Sequence, residues 1–157
     1  MTLELSGLLD APLGVCTKGL PDDLAQVPLG QIGALGLSLW RGDPLLPALE
    51  LWTDVLSSPE PGRAIIGAGR RDAPYDAGLP TVLRAYRRGE PVTLGTATVT
   101  ELNDQHGFVS VAPPDALAVG DLVCLGISHP CGAFDRWRTL LEVDEGYTVT
   151  RAIRTFF

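Results

Sequence analysis

The sequence predicts a mainly β fold: a small antiparallel β-barrel or sandwich carrying a short irregular or helical N-terminal arm. Short apolar runs recur at intervals of roughly 8–15 residues from about residue 48 onward. Glycine- and proline-rich turns separate these runs, and threonine and valine, which favour strands, are frequent within them. A chain of 157 residues suits one domain. We therefore divide it into an arm, residues 1–46, and a β-domain, residues 47–157.

The first predicted strand covers Leu49 to Val55, where side-chain character alternates with a period of two. A helix of about ten residues is the alternative there. Two prolines and a glycine at 58–62 predict a turn that ends regular structure. Further strands are predicted at 63–67, 82–86, 93–102, 108–112, 122–127, 137–143 and 147–155, the last two joined by a hairpin turn at 144–146. Within the arm, residues 28–35 could form a short helix.

The charge balance argues against a nucleic-acid partner and against an anionic membrane surface. Nineteen acidic residues oppose 12 basic ones, for a formal charge of −7, whereas a phosphate-backbone binder needs a concentrated cationic face. The three cysteines form no disulfide framework, which favours a reducing compartment. The N-terminus has no basic segment followed by a long apolar run. These features predict a soluble cytoplasmic protein.

His129 and Cys131 are the first candidate site residues. They follow the predicted buried strand 122–127, and extended backbone would send residues two positions apart to one face. Pro130 disfavours helical geometry at His129. Imidazole and thiolate together suit zinc, and two protein ligands would leave coordination positions open for water or substrate. The alternative is an ordinary buried cysteine that acts as a small apolar side chain.

Two further segments carry polar groups. Asp104 and His106 lie between predicted strands, where they could bring a carboxylate and an imidazole to a barrel rim, although a polar turn ending at Gly107 explains them better. The segment 67–72 holds two glycines beside two arginines. It lacks the third glycine and following helix of a dinucleotide-binding motif, so a structured loop with internal Arg–Asp pairs is the better interpretation.

Several ordered motifs in the β-domain resemble the D-serine dehydratase and D-threonine aldolase group of amino-acid deaminases. The matching stretches are Arg63–Asp72, Tyr75–Pro80, Leu102–His106, Val119–Val123, Gly126–Cys131, Phe134–Asp135, Trp137–Arg138 and Arg151–Phe157. In the arm, Thr17–Pro21, Leu29–Ala34 and Arg41–Asp43 resemble the segment that precedes the catalytic barrel of the same group.

The resemblance implies an enzyme of two parts, an alanine-racemase-like barrel that binds pyridoxal phosphate and a β-domain built mostly from the C-terminus. It implies that His129 and Cys131 bind zinc beside a D-amino acid substrate, and that the ion assists departure of the β-hydroxyl group. Residues 43–47 would be a junction from which the barrel is absent, because such a barrel needs about 250 residues. The single lysine, Lys18, does not match the family's cofactor-binding lysine.

Three functional hypotheses follow. The first is a metal-binding β-domain of a pyridoxal-phosphate-dependent D-amino-acid (D-serine-type) deaminase, inactive alone because the barrel is missing and with no pyridoxal-phosphate contact of its own. The second is a non-catalytic β-barrel module that pairs with a barrel-containing subunit or forms a homodimer. The third is a complete lyase, which the lone Lys18 argues against because the cofactor needs a lysine to hold it.

Overall fold

The computed structural model describes residues 13–18, 39–40, 43–44 and 48–156, with side chains described from residue 48 onward. The described elements are β1 (Leu13–Lys18), β2 (Leu39–Trp40), β3 (Asp43–Pro44), β4 (Leu49–Glu60), β5 (Arg63–Ile66), β6 (Thr81–Arg87), β7 (Glu90–Val92), β8 (Ala97–Leu102), β9 (Gly107–Val111), β10 (Leu122–Gly126), α1 (Pro130–Arg136), β11 (Thr139–Val143) and β12 (Val149–Arg154). The predicted mainly β class is confirmed.

Ten of these strands form one curled sheet that makes a half-barrel. Its main path runs β12–β11–β1–β4–β10–β6–β7, and β5, β9 and β8 extend it from the second half of β4. Neighbouring strands are antiparallel, except that β1 and β11 are parallel. The long strand β4 therefore connects both parts of the sheet, since its first half pairs with β1 and β10 and its second half with β5.

Strand β4 differs from its prediction in length. The expected alternation between Leu49 and Val55 is present, but the strand continues through the predicted turn as far as Glu60. Proline lacks an amide hydrogen and is tolerated in strands at bulges, and the pairing of β4 with β5 shifts register between Ser57 and Glu60, on either side of Pro59. The reversal occurs only at Gly62, whose φ of +79° favours glycine. The prediction of a turn from residue 58 was wrong for this reason.

One large cluster of buried apolar side chains forms the main core. Its fully buried members come from five strands: Leu51, Val55, Ile66, Val109, Val123, Leu125 and Leu140. Strand β10 is apolar on both faces, as predicted, because it lies between β4 and β6, and Cys124 within it is buried. Burying a side chain of this size contributes about 1.5–3 kcal/mol relative to exposure. These contacts fix the end of β10, from which the candidate site residues follow.

The N-terminal arm is described only in part. Residues 13–18 form β1, which lies between β4 and β11 in the main sheet, and residues 39–40 and 43–44 form a separate two-stranded sheet. The described part of the arm is therefore extended, and β1 completes the sheet rather than standing apart from it. The helix predicted at 28–35 lies outside the described residues.

The C-terminal hairpin forms as predicted. Strands β11 and β12 are antiparallel, and the carboxylate of Asp144 accepts hydrogen bonds from the amides of Gly146 and Thr148 across the turn, both at 2.9 Å. In the part of the chain that the structure describes, no helix is long and apolar enough to cross a bilayer.

Candidate metal site

His129 and Cys131 lie where the chain leaves β10 and enters α1, and here the sequence prediction was wrong about the backbone. His129 has non-helical dihedral angles (φ −133°, ψ 89°), as expected for a residue before proline. The helix then begins at Pro130, because proline with its fixed φ suits the first helical position. Cys131 is thus a helical residue, and the rule that extended residues two apart share a face does not apply to this pair.

The imidazole of His129 has a carboxylate partner that sequence reasoning did not assign to it. Nδ1 of His129 lies 2.6 Å from Oδ2 of Asp76, a residue 53 positions earlier in the chain. This hydrogen bond from His129 holds the pKa of Asp76 below its ordinary value. The His129 side chain is 40% exposed, and Nε2 is the ring nitrogen that does not face Asp76.

The loop that carries Asp76 is fastened to the segment around α1. The buried hydroxyl of Ser128 donates to the carbonyl of Gly78 at 2.6 Å, and Pro74 O lies 3.3 Å from the same hydroxyl oxygen. A Cβ added at Gly132 would lie 2.8 Å from Cβ of Pro74, so α1 packs directly on the loop. The neighbours of Asp76 and of His129 are therefore held against each other.

Two side chains at the C-terminal end of α1 donate hydrogen bonds to the first part of the loop, residues 70–72. The indole nitrogen of Trp137 donates to the carbonyl of Asp72 at 2.8 Å, and Nε of Arg136 donates to the carbonyl of Arg70 at 3.1 Å. Burial raises the pKa of Asp72 above its ordinary value, although the amide of Gly69 donates to its carboxylate and opposes the change. The loop 69–78 is thus attached to the segment around α1 through the carbonyl groups of residues 70, 72, 74 and 78.

His129 and Cys131 supply the donor types, though not a complete set of ligands, for an open metal site. Cys131 is a free, exposed cysteine, and one thiolate with one imidazole suits a borderline-soft divalent ion such as zinc. A carboxylate on the second ring nitrogen is the usual companion of a metal-binding histidine. Among residues 48–156, no group of three or more His, Cys, Asp or Glu side chains could hold a metal, so a closed structural site does not fit.

Asp104 and His106, the predicted rim candidates, lie in an exposed turn between β8 and β9. The amide of Asn103 donates to the carbonyl of His106 at 2.8 Å, which closes the turn. The Asp104 carboxylate lies 3.9 Å from the guanidinium of Arg71, and both side chains are about 70% exposed. This geometry agrees with the interpretation of the segment as a polar turn.

The glycine–arginine segment 67–72 is a structured loop packed against that turn. A Cβ at Gly69 would lie 2.5 Å from the carbonyl oxygens of Asn103 and Asp104, so glycine is required there by close approach of two backbones. The amides of Arg70 and Arg71 donate to the same two carbonyls. Because these amides are already bonded, they do not form a phosphate cradle. The charge of Arg71 acts on Asp72 within the loop, where it opposes the rise of the Asp72 pKa caused by burial, and the Arg71 guanidinium also lies 3.9 Å from Asp104.

A buried carboxylate that the sequence did not single out lies in β4. Glu50 is 2% exposed and pairs with Arg84 of β6 at 2.5 Å. Its second oxygen accepts from the indole of Trp52 at 3.2 Å and from the hydroxyl of Tyr147 at 3.0 Å. The guanidinium also lies over the rings of Trp52 and Tyr147. Burial alone would lower the pKa of Arg84, but the bond to Glu50 raises it.

A second buried carboxylate, Asp121, fastens the start of β10 to β6. Arg87 donates to both of its oxygens, at 2.7 and 2.8 Å, and the amide of Ala118 donates to one of them at 2.8 Å. Burial would raise the pKa of Asp121, but these hydrogen bonds outweigh it and hold the pKa below its ordinary value. In both clusters a buried carboxylate is paired with an arginine of β6.

Two curated proteins are similar to this chain in sequence. A D-threonine aldolase from Arthrobacter sp. is 32% identical over 117 residues, covering 73% of this chain and 28% of that protein. A protein of Paenarthrobacter aurescens (strain TC1), named 4-diphosphocytidyl-2-C-methyl-D-erythritol kinase, is 31% identical over 113 residues, covering 62% of this chain and 35% of its own length.

Solved structures with a similar fold include a D-threonine aldolase, a D-threo-3-hydroxyaspartate dehydratase and an alanine-racemase-like protein. The D-threonine aldolase from Filomicrobium marinum superposes with a TM-score of 0.60 at 21% identity, covering 71% of this chain and 28% of that one. The D-threo-3-hydroxyaspartate dehydratase from Delftia sp. HT23 has a TM-score of 0.52 at 18% identity, covering 70% of this chain and 32% of that one. This chain therefore spans no more than about a third of these enzymes.

A dehydratase of the same name has also been solved as two single variants. One replaces a histidine by alanine, and the other replaces a cysteine two positions later by alanine. The structure of the cysteine variant is of the metal-free form. Residues 48–143 of the present chain match the family described as "Putative serine dehydratase domain", which is more than half of its length. The chain belongs to the serine dehydratase domain family.

Proposed function

We propose that this chain is the metal-binding β-domain of a lyase that acts on D-amino acids with a hydroxyl group on the β-carbon. The observation that carries the proposal is the bond between Nδ1 of His129 and Asp76 at 2.6 Å, with the exposed thiol of Cys131 two residues later. His129 would bind the ion through Nε2 and Cys131 through its thiolate. A divalent ion held there would act as a Lewis acid on the substrate hydroxyl.

The comparisons support this assignment through spacing and substrate chemistry. His129 and Cys131 have the same two-residue spacing as the histidine and cysteine replaced in the dehydratase variants, and the cysteine variant was solved in the metal-free form. Threonine and threo-3-hydroxyaspartate, named in the two enzymes, each carry a hydroxyl on the β-carbon. A D-serine-type substrate would present that hydroxyl in the same position.

The domain's own residues would hold the ion and leave its remaining positions open. Ser128 and Gly132 keep the loop carrying Asp76 against α1, so the imidazole is oriented before a ligand arrives. Two protein ligands leave room for water and a substrate oxygen. The half-exposed His129 side chain keeps this open side accessible to a substrate presented by another part of the enzyme.

Pyridoxal phosphate would be held by protein outside this sequence. The family relatives are pyridoxal-phosphate enzymes, and that cofactor supplies the electron sink for carbanion chemistry when it is bound. The one lysine here, Lys18, lies in β1 and pairs through its backbone with Val143 of β11. We therefore expect a barrel-containing subunit or segment to complete the site, and no lyase activity from the chain alone.

Metal content of the untagged chain tests the proposal. The protein is dialysed against zinc, cobalt or manganese, and bound metal per chain is measured by mass spectrometry. The wild type is expected to retain about one ion, and His129→Ala and Cys131→Ala are expected to retain far less. Cys131→Ser separates loss of the thiolate from loss of volume. His106→Ala, at the chain's other histidine, is the matched control and should bind normally.

Two results would overturn the assignment: a wild-type chain that retains no ion, or variants at both positions that retain as much as the wild type. The cofactor expectation has its own test. Adding pyridoxal phosphate and then borohydride should leave no covalently attached cofactor and produce no pyruvate from D-serine. A reduced adduct on Lys18 accompanied by pyruvate formation would show that the chain is a complete enzyme.

A further inference from the structure

The His129 ring is hydrogen-bonded to the carboxylate of Asp76. The two atoms involved, Nδ1 and Oδ2, are 2.6 Å apart, and the residues are joined only through folding, since they are 53 positions apart in the chain. An ionised carboxylate can only accept hydrogen bonds. The proton of a neutral His129 ring must then reside on Nδ1, which leaves the lone pair on Nε2.

Asp76 is itself held in place by the residue that precedes His129. The Ser128 hydroxyl donates to Gly78 O at 2.6 Å and has Pro74 O at 3.3 Å, so the loop is attached on both sides of Asp76. Ser128 is 6% exposed, which shields these bonds from competing water. The carboxylate and the imidazole thus stand on two segments that cannot move apart without breaking a buried contact.

We propose that Asp76 is a positioning residue: it fixes the orientation and the Nδ1–H tautomer of His129, so that Nε2 is presented outward as the metal donor. The part of this inference that concerns the ion rests on the proposed function, whereas the tautomer can be measured without any metal. Removing such a partner from a metal-binding histidine typically lowers metal affinity about 10–100-fold.

Three variants separate positioning from the alternatives. Asp76→Ala removes the acceptor. Asp76→Asn keeps an oxygen that can accept from Nδ1–H and so should restore most of the affinity. Asp104→Ala, an exposed carboxylate in the β8–β9 turn, is the matched control for loss of one negative charge. If Asp76 were itself a metal ligand, the asparagine variant would be as weak as the alanine variant.

The first measurement is a proton–nitrogen correlation spectrum of the metal-free chain, recorded at alkaline pH so that both imidazoles are neutral. The chain has two histidines, so the exposed His106 serves as an internal reference. We expect the Nδ1–H tautomer at His129 in the wild type and in Asp76→Asn. Asp76→Ala should revert to the Nε2–H tautomer that free imidazole side chains favour.

The second measurement is zinc affinity by competition with a chelator of known strength. We expect about a 10–100-fold loss in Asp76→Ala, a loss of only a few-fold in Asp76→Asn, and no change in Asp104→Ala. An Nε2–H tautomer at wild-type His129, unchanged affinity in Asp76→Ala, or equal losses in the alanine and asparagine variants would each overturn the inference. If neither the wild type nor any variant binds zinc, the proposed function fails. The spectrum alone then decides whether Asp76 sets the tautomer of His129.

Discussion

The hydroxyl of Ser128 and the carbonyl of Gly78 are joined by a 2.6 Å hydrogen bond that spans 50 positions of sequence. Through it the end of β10, which leads into the candidate site, is fastened to the loop that carries Asp76. A contact of this kind is worth about 1 kcal/mol to folding. Because Ser128 and His129 are adjacent, the same bond also helps to hold the His129 imidazole beside Asp76.

Replacing Ser128 with alanine should therefore affect metal binding more than stability. We expect a loss of about 1 kcal/mol in the free energy of unfolding, because the hydroxyl bond is removed while the Gly78 carbonyl can turn to water. Zinc affinity should fall several-fold as the loop loosens. Urea unfolding and chelator competition measure the two effects. Ser110→Ala, at an exposed position in β9, is the control, and equal affinity in both variants would contradict the role of Ser128.

Gly132→Ala should destabilise the domain although alanine is the better helix former. Propensity favours alanine over glycine by about 1 kcal/mol, but the new methyl would lie 2.8 Å from Cβ of the buried Pro74 and 3.0 Å from Arg136. Forcing extra volume into a packed contact costs about 1–3 kcal/mol. This steric cost should exceed the gain in helix propensity.

Thermal unfolding of Gly132→Ala tests whether the substitution lowers the stability of the domain. Asp135→Ala, an exposed substitution in the same helix, provides the baseline for α1. A Gly132→Ala variant more stable than the wild type would show that α1 does not pack on the loop as described.

Asp121→Asn should make the domain less stable at neutral pH and less sensitive to acid. The pKa of Asp121 is below its ordinary value of 3.8 in the folded state, so its charged form contributes stability that is fully present above pH 3.8 and is lost as the pH falls through the folded pKa. Charge-assisted hydrogen bonds are worth about 1.5–3 kcal/mol, and asparagine retains only part of this.

The stability difference between wild type and Asp121→Asn should therefore be largest at neutral pH and shrink below pH 3.8. Urea unfolding of both proteins across an acid series measures it. Because the other carboxylates are common to both chains, their titration cancels in the difference. A difference that grows on acidification would mean that Asp121 is not held charged by Arg87.

Tyr147→Phe tests the buried Glu50 cluster. The substitution removes the 3.0 Å bond to Glu50 but keeps the aromatic ring against Trp52 and Arg84. We expect a loss of about 1–3 kcal/mol in the free energy of unfolding, because a buried charge loses one donor. Tyr86→Phe is the matched control, since its ring also faces Trp52. A variant as stable as the wild type would show that Arg84 and Trp52 satisfy Glu50 by themselves.

The β strands could be predicted because their signals are local. Alternation from Leu49 to Val55, the apolar run of β10 and the turn before Tyr147 depend only on neighbouring residues. The extension of β4 past Pro59 could not be predicted, because a bulge depends on the partner strand β5. The helix α1 was missed for another reason: it has seven residues and includes a glycine, which is too short for helical periodicity to show.

The candidate site was predicted only in part. His129 and Cys131 were found from a two-residue pattern and a family resemblance, but their backbone was predicted as extended, whereas α1 begins between them. Asp76 was not assigned to His129, and Glu50 and Asp121 were not recognised as buried. Each depends on a partner 34 or more positions away, and such pairings are created by the sheet topology.

The coordination shell of the metal-loaded chain tests the account most directly, because the two proposed ligands differ in element. X-ray absorption at the zinc edge of the untagged, zinc-loaded protein should reveal one sulfur at about 2.3 Å together with imidazole nitrogen at about 2.0–2.1 Å. In Cys131→Ser the sulfur should disappear while the imidazole signal persists. A wild-type shell made only of oxygen and nitrogen would contradict the assignment of Cys131 as a ligand and, with it, the proposed metal site.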